Sequence, residues 1–237
     1  GVLCNMFQDM CKKTPGSISK IGLHTFLDPR YEGGQMNEIS TEEMVSLLEL
    51  NGEECLIYKH VPIDFLIIRG TYADENGNIS IKDEPLLLEN LSAALATKRY
   101  GGKVIVQVKR VVQKGSIPPR EVEIPGSLVD YVAVCEDVES NHKQTSSFYL
   151  DDSFSGYIRV PKDSIEKVPL SERKVIMRRA VQFLREQSII NVGTGIPNDS
   201  LGSILAEEGV SSDVTITVES GVYGGVPYGG PDFGVSQ

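Results

Sequence analysis

Two runs constrain this chain more than any other feature: "DFLIIRG" (Asp64 to Gly70) and "KVIVQVKRVV" (Lys103 to Val112). Each is apolar and of strand length. Between them come a tight turn at Asn76-Gly77 leading into a short strand, the stretch "EPLLLENLSAALATK" (Glu84 to Lys98), and a Gly101-Gly102 stop. Pro85 suits a first helical turn, and Leu88, Leu91 and Leu95, with Ala94 beside them, predict the buried face of that helix. Strand, helix, strand with short connections is the signature of a parallel α/β fold. "IPGSLVDYVAV" (Ile124 to Val134) supplies a further strand.

The same cadence returns near the end of the chain. Ser171 predicts an N-cap, followed by a helix with Ile176, Ala180, Phe183 and Leu184 inward. Arg173, Lys174, Arg178 and Arg179 fall on its other faces and predict a solvated basic surface. Strand "IINV" (Ile189 to Val192), loop "GTGIP" (Gly193 to Pro197), helix "NDSLGSILAEEG" and strand "VTITV" then complete a βαβ unit. Between the two halves, "EDVESNHKQTSSFYLDDSFSG" is polar and carries no hydrophobic period. It predicts a first unit over 1–135, an interdomain linker over 136–170 and a second unit over 171–237.

Composition narrows the function. The 237 residues suffice for one large or two ordinary domains. A formal net charge of −10, from 33 acids against 23 Lys and Arg, argues against general nucleic-acid binding. No apolar run is long enough to span a membrane, and the opening "GVLCNMFQDMCKK" lacks the pattern of a signal peptide. Cys4, Cys11, Cys55 and Cys135 are scattered, which fits a reducing compartment. These cysteines and His24, His60 and His142 show no metal-ligand spacing, so no metal is expected.

The chemistry-bearing stretch is "TVESGVYGGVPYGG", Thr217 to Gly230. A single acid, Glu219, follows a buried strand and precedes Gly221, Gly224 and Gly225. Ligands of open parallel sheets bind at the carboxyl ends of strands. The glycine loop holding Gly193 and Gly195 reaches the same edge. Three readings stand at this point. The unit could hold a dinucleotide, although the third glycine of that fingerprint is replaced by Asn198 and Pro197 precedes it. Glu219 could be a covalent nucleophile, with backbone N–H groups from the glycines stabilising an oxyanion. The module could also bind a metabolite without reacting.

Seven stretches, in order and covering nearly the whole chain, carry a resemblance. They are "SKIGLHTFLDPRYEGGQMNE", "GTYADENGNISIKDE", "GGKVIVQVKRVV", "IPGSLVDYVAV", "ERKVIMRRA", "NVGTGIP" and "TVESGVYGGVP". Together they resemble the class I coenzyme A transferases of the single-chain, short-chain acyl-CoA:acetate or propionate type. The resemblance implies a fold of two similar open parallel-sheet α/β units, both incomplete here, as in an excerpt truncated at both ends. It implies that Glu219 is the catalytic glutamate, that Gly193, Gly195, Gly221, Gly224 and Gly225 border coenzyme A, and that the loop "DPRYEGGQMN" closes on the site. It implies CoA exchange between a short-chain acyl-CoA and a carboxylic acid, through an acyl–glutamyl anhydride and a glutamyl-CoA thioester. Coenzyme A is then a substrate, with no permanently bound cofactor. A cytoplasmic or organelle-matrix homo-oligomer is the expected setting, and the excerpt alone is expected to be inactive.

Overall fold

The computed structural model describes residues 1–161, 164–209 and 214–236. They form two compact units, Gly1–Ser80 with Glu89–Val134, and Ile81–Leu88 with the part of Cys135–Gln237 that is described.

The first unit opens with helix α1 (Val2–Lys12) and strands β1 (Ser17–Ser19), β2 (Val45–Leu50) and β3 (Glu53–Tyr58). β1 and β2 flank β3 in an antiparallel sheet. Val45, Leu56 and Tyr58 form its core, against which Val2, Met6, Leu23 and Leu27 pack. Next come β4 (Phe65–Arg69), β5 (Tyr72–Asp74), β6 (Ile79–Ser80), α2 (Asn90–Arg99), β7 (Lys103–Val108), β8 (Arg110–Val112) and β9 (Tyr131–Val134). β4, β7 and β9 make the parallel sheet that the apolar runs predict. The run "KVIVQVKRVV" divides, however. At Lys109 the backbone N–H donates to Thr71 C=O (3.0 Å), and β8 leaves to pair with β5 in another sheet. The turn between β5 and β6 forms at Asn76-Gly77 as predicted. Asp74 fixes it by accepting from the backbone N–H groups of Asn76 and Asn78, both at 2.9 Å.

Helix α2 departs from its expected form. It begins at Asn90 rather than near Pro85, and Leu88 stands in the left-handed region at φ 50°. The residues before it, Ile81–Leu88, are taken up by the second unit. There Glu84 Oε1 lies 3.3 Å from Nε2 of buried His142, and Gln144 Nε2 donates to Asp83 C=O at 2.7 Å. The buried face is Ala93, Ala94, Ala96 and Thr97, while Leu88, Leu91 and Leu95 are exposed. Alanine brings the helix axis close to the sheet, and the leucines stand off to the side.

The second unit holds α3 (Val138–Asn141), α4 (Glu172–Val181), β10 (Ser188–Val192), α5 (Ile196–Glu207) and β11 (Val214–Val218). The stretch read as a linker packs within this unit. Phe148 and Phe154 meet Tyr228 edge-to-face, with centroids 5.4 and 5.1 Å from its ring. Ser171 caps α4 as predicted, accepting from Lys174 N–H at 3.3 Å. The inward face of α4 differs from expectation. Lys174 and Met177 are buried, with Val181 and Leu184 partly so, while Ile176 and Phe183 are exposed. Lysine can be buried here because its Nζ donates to Val168 C=O and to Glu207 of α5 (2.5 and 2.9 Å). This pair in turn holds the Glu207 carboxyl below the usual carboxylate range. Arg173 and Arg178 are likewise tied to Asp199 of α5 and to Glu208 at its C-cap (both 2.7 Å). Met177, Val192, Leu201, Ile204, Leu205, Ile216 and Val218 make one apolar core beneath both helices and both strands.

Candidate active site

β10 and β11 pair in parallel, in register from Ser188↔Val214 to Val192↔Val218. One step beyond, the same register sets Gly193 beside Glu219. A Cβ at position 193 would lie 3.1 Å from Oε1 of Glu219, closer than an ordinary contact, so the bare glycine leaves that space to the carboxylate. Two loops read separately from the sequence meet at one strand edge.

After Glu219 the chain reverses within three residues. Gly221 N–H donates to Val218 C=O at 3.0 Å, and Val218 N–H donates to Val222 C=O at 3.1 Å. Gly221 sits at φ 94°. This is a three-residue hairpin loop closed by a left-handed glycine, a conformation that β-carbon-bearing residues adopt at a cost. Thr217 then bridges Tyr223 antiparallel, and Gly224 N–H donates to Ile216 C=O at 2.8 Å. Gly221 therefore shapes the turn, and Glu219, its first loop residue, is exposed at the carboxyl edge of β11.

Gly195 has a different task. At φ 102° it forms the N-cap of α5 and turns the "GTGIP" loop into the helix. Gly224 and Gly225 lie elsewhere again. With Phe154, Ile158, Leu205 and Tyr223 they line a cavity of about 570 Å³ that neither Gly193, Gly195, Glu219 nor Gly221 borders. The five glycines thus hold four local positions: space beside the acid, turn, helix start and cavity wall.

Sequence reading passed over two side chains that hold this architecture. Ser220, next to the acid, donates from Oγ to Gly234 C=O at 2.5 Å. Asn198, noted only as a mismatch to a nucleotide fingerprint, is buried and donates from Nδ2 to Tyr228 C=O at 2.6 Å, tying α5 to the returning chain. A hydroxyl beside the acid and an amide in the first turn of α5 were the available signals. Asp232 belongs to the same support. Burial opposes its ionisation, but hydrogen bonds from Ser147 and its neighbours win, and its carboxyl lies below the usual range. The "DPRYEGGQMN" loop is organised within the first unit. Buried Asp28 accepts from the Arg30 guanidinium (2.7 and 3.0 Å) and from His24 N–H (2.9 Å), which holds it well below the usual carboxylate range. Among the described residues, no three His, Cys, Asp or Glu side chains gather as a metal site.

The sequence profile of the coenzyme A transferases matches residues 12–134, just over half of the chain. The chain belongs to the coenzyme A transferase family. Across 236 residues it is 46% identical to the caffeate CoA-transferase of Acetobacterium woodii, a match spanning 100% of this chain and 45% of that one. It is 37% identical to the acetate CoA-transferase YdiF of Escherichia coli O157:H7, spanning 100% of this chain and 44% of that one. A crystal structure of the E. coli O157:H7 acyl-CoA transferase YdiF, described as a thioester complex with CoA, superposes with a TM-score of 0.83 at 35% identity. That superposition covers 99% of this chain and 45% of the other. The α/β fold is thus a CoA-transferase fold, and the chain spans less than half the length of each of these relatives.

Proposed function

We propose that the protein carrying this chain is a CoA-transferase that exchanges CoA between a short-chain acyl-CoA and a carboxylic acid. The observation that carries this reading is the placement of Glu219: exposed, at the carboxyl edge of parallel strand β11, on a tight turn above Gly193. The names of the caffeate and acetate CoA-transferase relatives support CoA transfer involving a carboxylic acid, and the acetate name supports the short-chain class.

In the proposed mechanism, one carboxylate oxygen of Glu219 attacks the thioester carbonyl of the donor. The C–S bond breaks, CoA leaves as a thiolate, and an acyl–glutamyl anhydride remains. The thiolate then attacks the glutamyl carbonyl and expels the donor acid, leaving a glutamyl-CoA thioester. The incoming carboxylate attacks that thioester, and the released thiolate attacks the new acyl carbonyl, which restores Glu219. A thioester is lost and a thioester is gained, so the exchange needs neither nucleotide nor metal. The nucleophile must reach a carbonyl from a fixed position, which an exposed acid on a closed three-residue turn supplies. Coenzyme A is a substrate in this scheme. In this reading 1–135 is the later part of a first CoA-transferase domain and 171–237 the early part of a second that carries the acid, with 136–170, packed within the second unit, leading from one to the other. Four unpaired cysteines fit a reducing cytoplasm or organelle matrix.

The test uses the full-length protein mixed with an acyl-CoA and no acceptor acid. CoA should become covalently attached to the peptide containing "VESGVYGG", visible by mass spectrometry. Glu219→Gln should abolish adduct and exchange, and Glu219→Asp, withdrawn by about 1 Å, should lose roughly 10²-fold in rate. Normal exchange by Glu219→Gln, shown free of deamidation, would remove Glu219 from the mechanism.

A further inference from the structure

The three-residue loop that carries Glu219 is short, but its backbone hydrogen bonds fix only its two ends, at Val218 and at Gly221 and Val222. Its middle residue, Ser220, is held by one side-chain hydrogen bond, from Oγ to Gly234 C=O at 2.5 Å across 14 residues of sequence. The acceptor is a fixed point. Gly234 is buried, and its φ of 108° is a backbone conformation that side chains rarely adopt. On either side of it the chain is pinned. Tyr228 N–H donates to Val235 C=O at 3.0 Å, Pro227 bridges Ser236 antiparallel, and Ser236 Oγ donates to Gly224 C=O at 3.0 Å. Tyr228 is itself anchored by Asn198 and by the rings of Phe148 and Phe154.

We infer that Ser220 is a positioning residue for the exchange reaction: its hydroxyl locks the turn to Gly234 and thereby aims the Glu219 carboxylate. The inference rests on Glu219 being the nucleophile. Freed of this hydrogen bond, the loop can rotate about its two pinned ends, and Glu219, one residue away, rotates with it. The Ser220 hydroxyl is committed to the Gly234 carbonyl, so its loss should fall on the reactive geometry and not on binding.

The experiment compares full-length wild type with Ser220→Ala, Ser220→Thr, Ser220→Cys and Glu219→Gln. The measurements are single-turnover formation of the CoA adduct, KM for the acyl-CoA, and thermal unfolding. Ser220→Ala should slow adduct formation by about tenfold to 10²-fold, with KM within about twofold of wild type. Ser220→Thr, which keeps the hydroxyl, should recover to within about threefold. Ser220→Cys keeps the side-chain volume with a weak donor and should behave like Ser220→Ala, which covers the case in which the alanine variant folds poorly. Wild-type adduct rates in Ser220→Ala or Ser220→Cys would overturn the inference. So would a rate loss that tracks unfolding, or one that threonine fails to restore. A Glu219→Gln enzyme that still forms the adduct would instead overturn the nucleophile assignment beneath it.

Discussion

Gly202 lies in the interior of α5, where glycine costs a helix about 1 kcal/mol relative to alanine. Propensity alone therefore predicts that Gly202→Ala stabilises the protein. The packing predicts the reverse. A Cβ at 202 would stand 2.5 Å from Cγ1 of Val226, 3.3 Å from its Cβ and 3.4 Å from Cγ2. Carbon atoms in contact prefer about 3.5–4.0 Å, so the first overlap is roughly 1 Å. Val226 is stiff at χ1 and cannot swing clear. It lies between Gly225 and Pro227 in the chain returning from the Glu219 hairpin, so that chain must move. Overpacking of this kind costs about 1–3 kcal/mol; set against the propensity gain, the net loss is about 1 kcal/mol, or roughly 2–4 °C in Tm. Thermal and denaturant unfolding of the full-length protein would measure it. The decisive comparison is made in a Val226→Ala background, where the colliding methyls are gone. There Gly202→Ala should raise stability, so that one substitution changes sign with its neighbour. A stabilising effect in both backgrounds would refute the reasoning and leave Gly202 without a packing role.

Two further outcomes follow from named contacts. Gly193→Ala should leave Tm almost unchanged, because the group it meets is the far end of an exposed side chain, Glu219, which can give way without moving backbone. It should nevertheless slow CoA-adduct formation about tenfold by displacing that carboxylate, and equal rates would argue that the acid lies elsewhere during reaction. Glu207→Gln should destabilise by about 3 kcal/mol, because Lys174 is left buried without its charge partner. The Glu207 carboxyl is held below its ordinary range in the folded state, so the stability it contributes is fully present above about pH 4.3, the unfolded value. That stability is lost as pH falls through the lower folded value. Unfolding curves from pH 3 to 7 should show the gap between wild type and Glu207→Gln narrowing at the acid end, and a gap constant with pH would count against the ion pair.

The parts of the fold legible in the sequence are those where local signals and tertiary packing agree. The apolar runs of β4, β7, β10 and β11, the Asn76-Gly77 turn and the Ser171 cap are of this kind. So is the position of Glu219 just past a buried parallel strand. Where packing overrides the local signal, reading fails. A leucine stripe looks like a buried face, yet α2 needs alanines to approach its sheet. Lys174 looks solvated until Glu207, 33 residues away, supplies a partner. β7 and β8 read as one run because nothing local marks Lys109 as the point where the chain changes sheets. At the site, glycine content was visible but glycine roles were not, since space, turn and helix start are told apart only by dihedral angles and neighbours. Ser220 stayed hidden because its acceptor is a backbone carbonyl, which has no sequence signature.

The excursion of Ile81–Leu88 has a consequence for the order in which the protein takes shape during its synthesis. These eight residues leave the first unit's strands at Ser80 and rejoin its helix at Glu89. Their partners His142 and Gln144 lie 58 and 61 residues downstream. At about 5–20 residues per second, a ribosome exposes the segment roughly 3–12 s before those partners exist. For that interval the contacts of the β6–α2 connection to His142 and Gln144 are still to form. Its final closure waits on the second unit, and the two are coupled in time by eight residues whatever their separate stabilities.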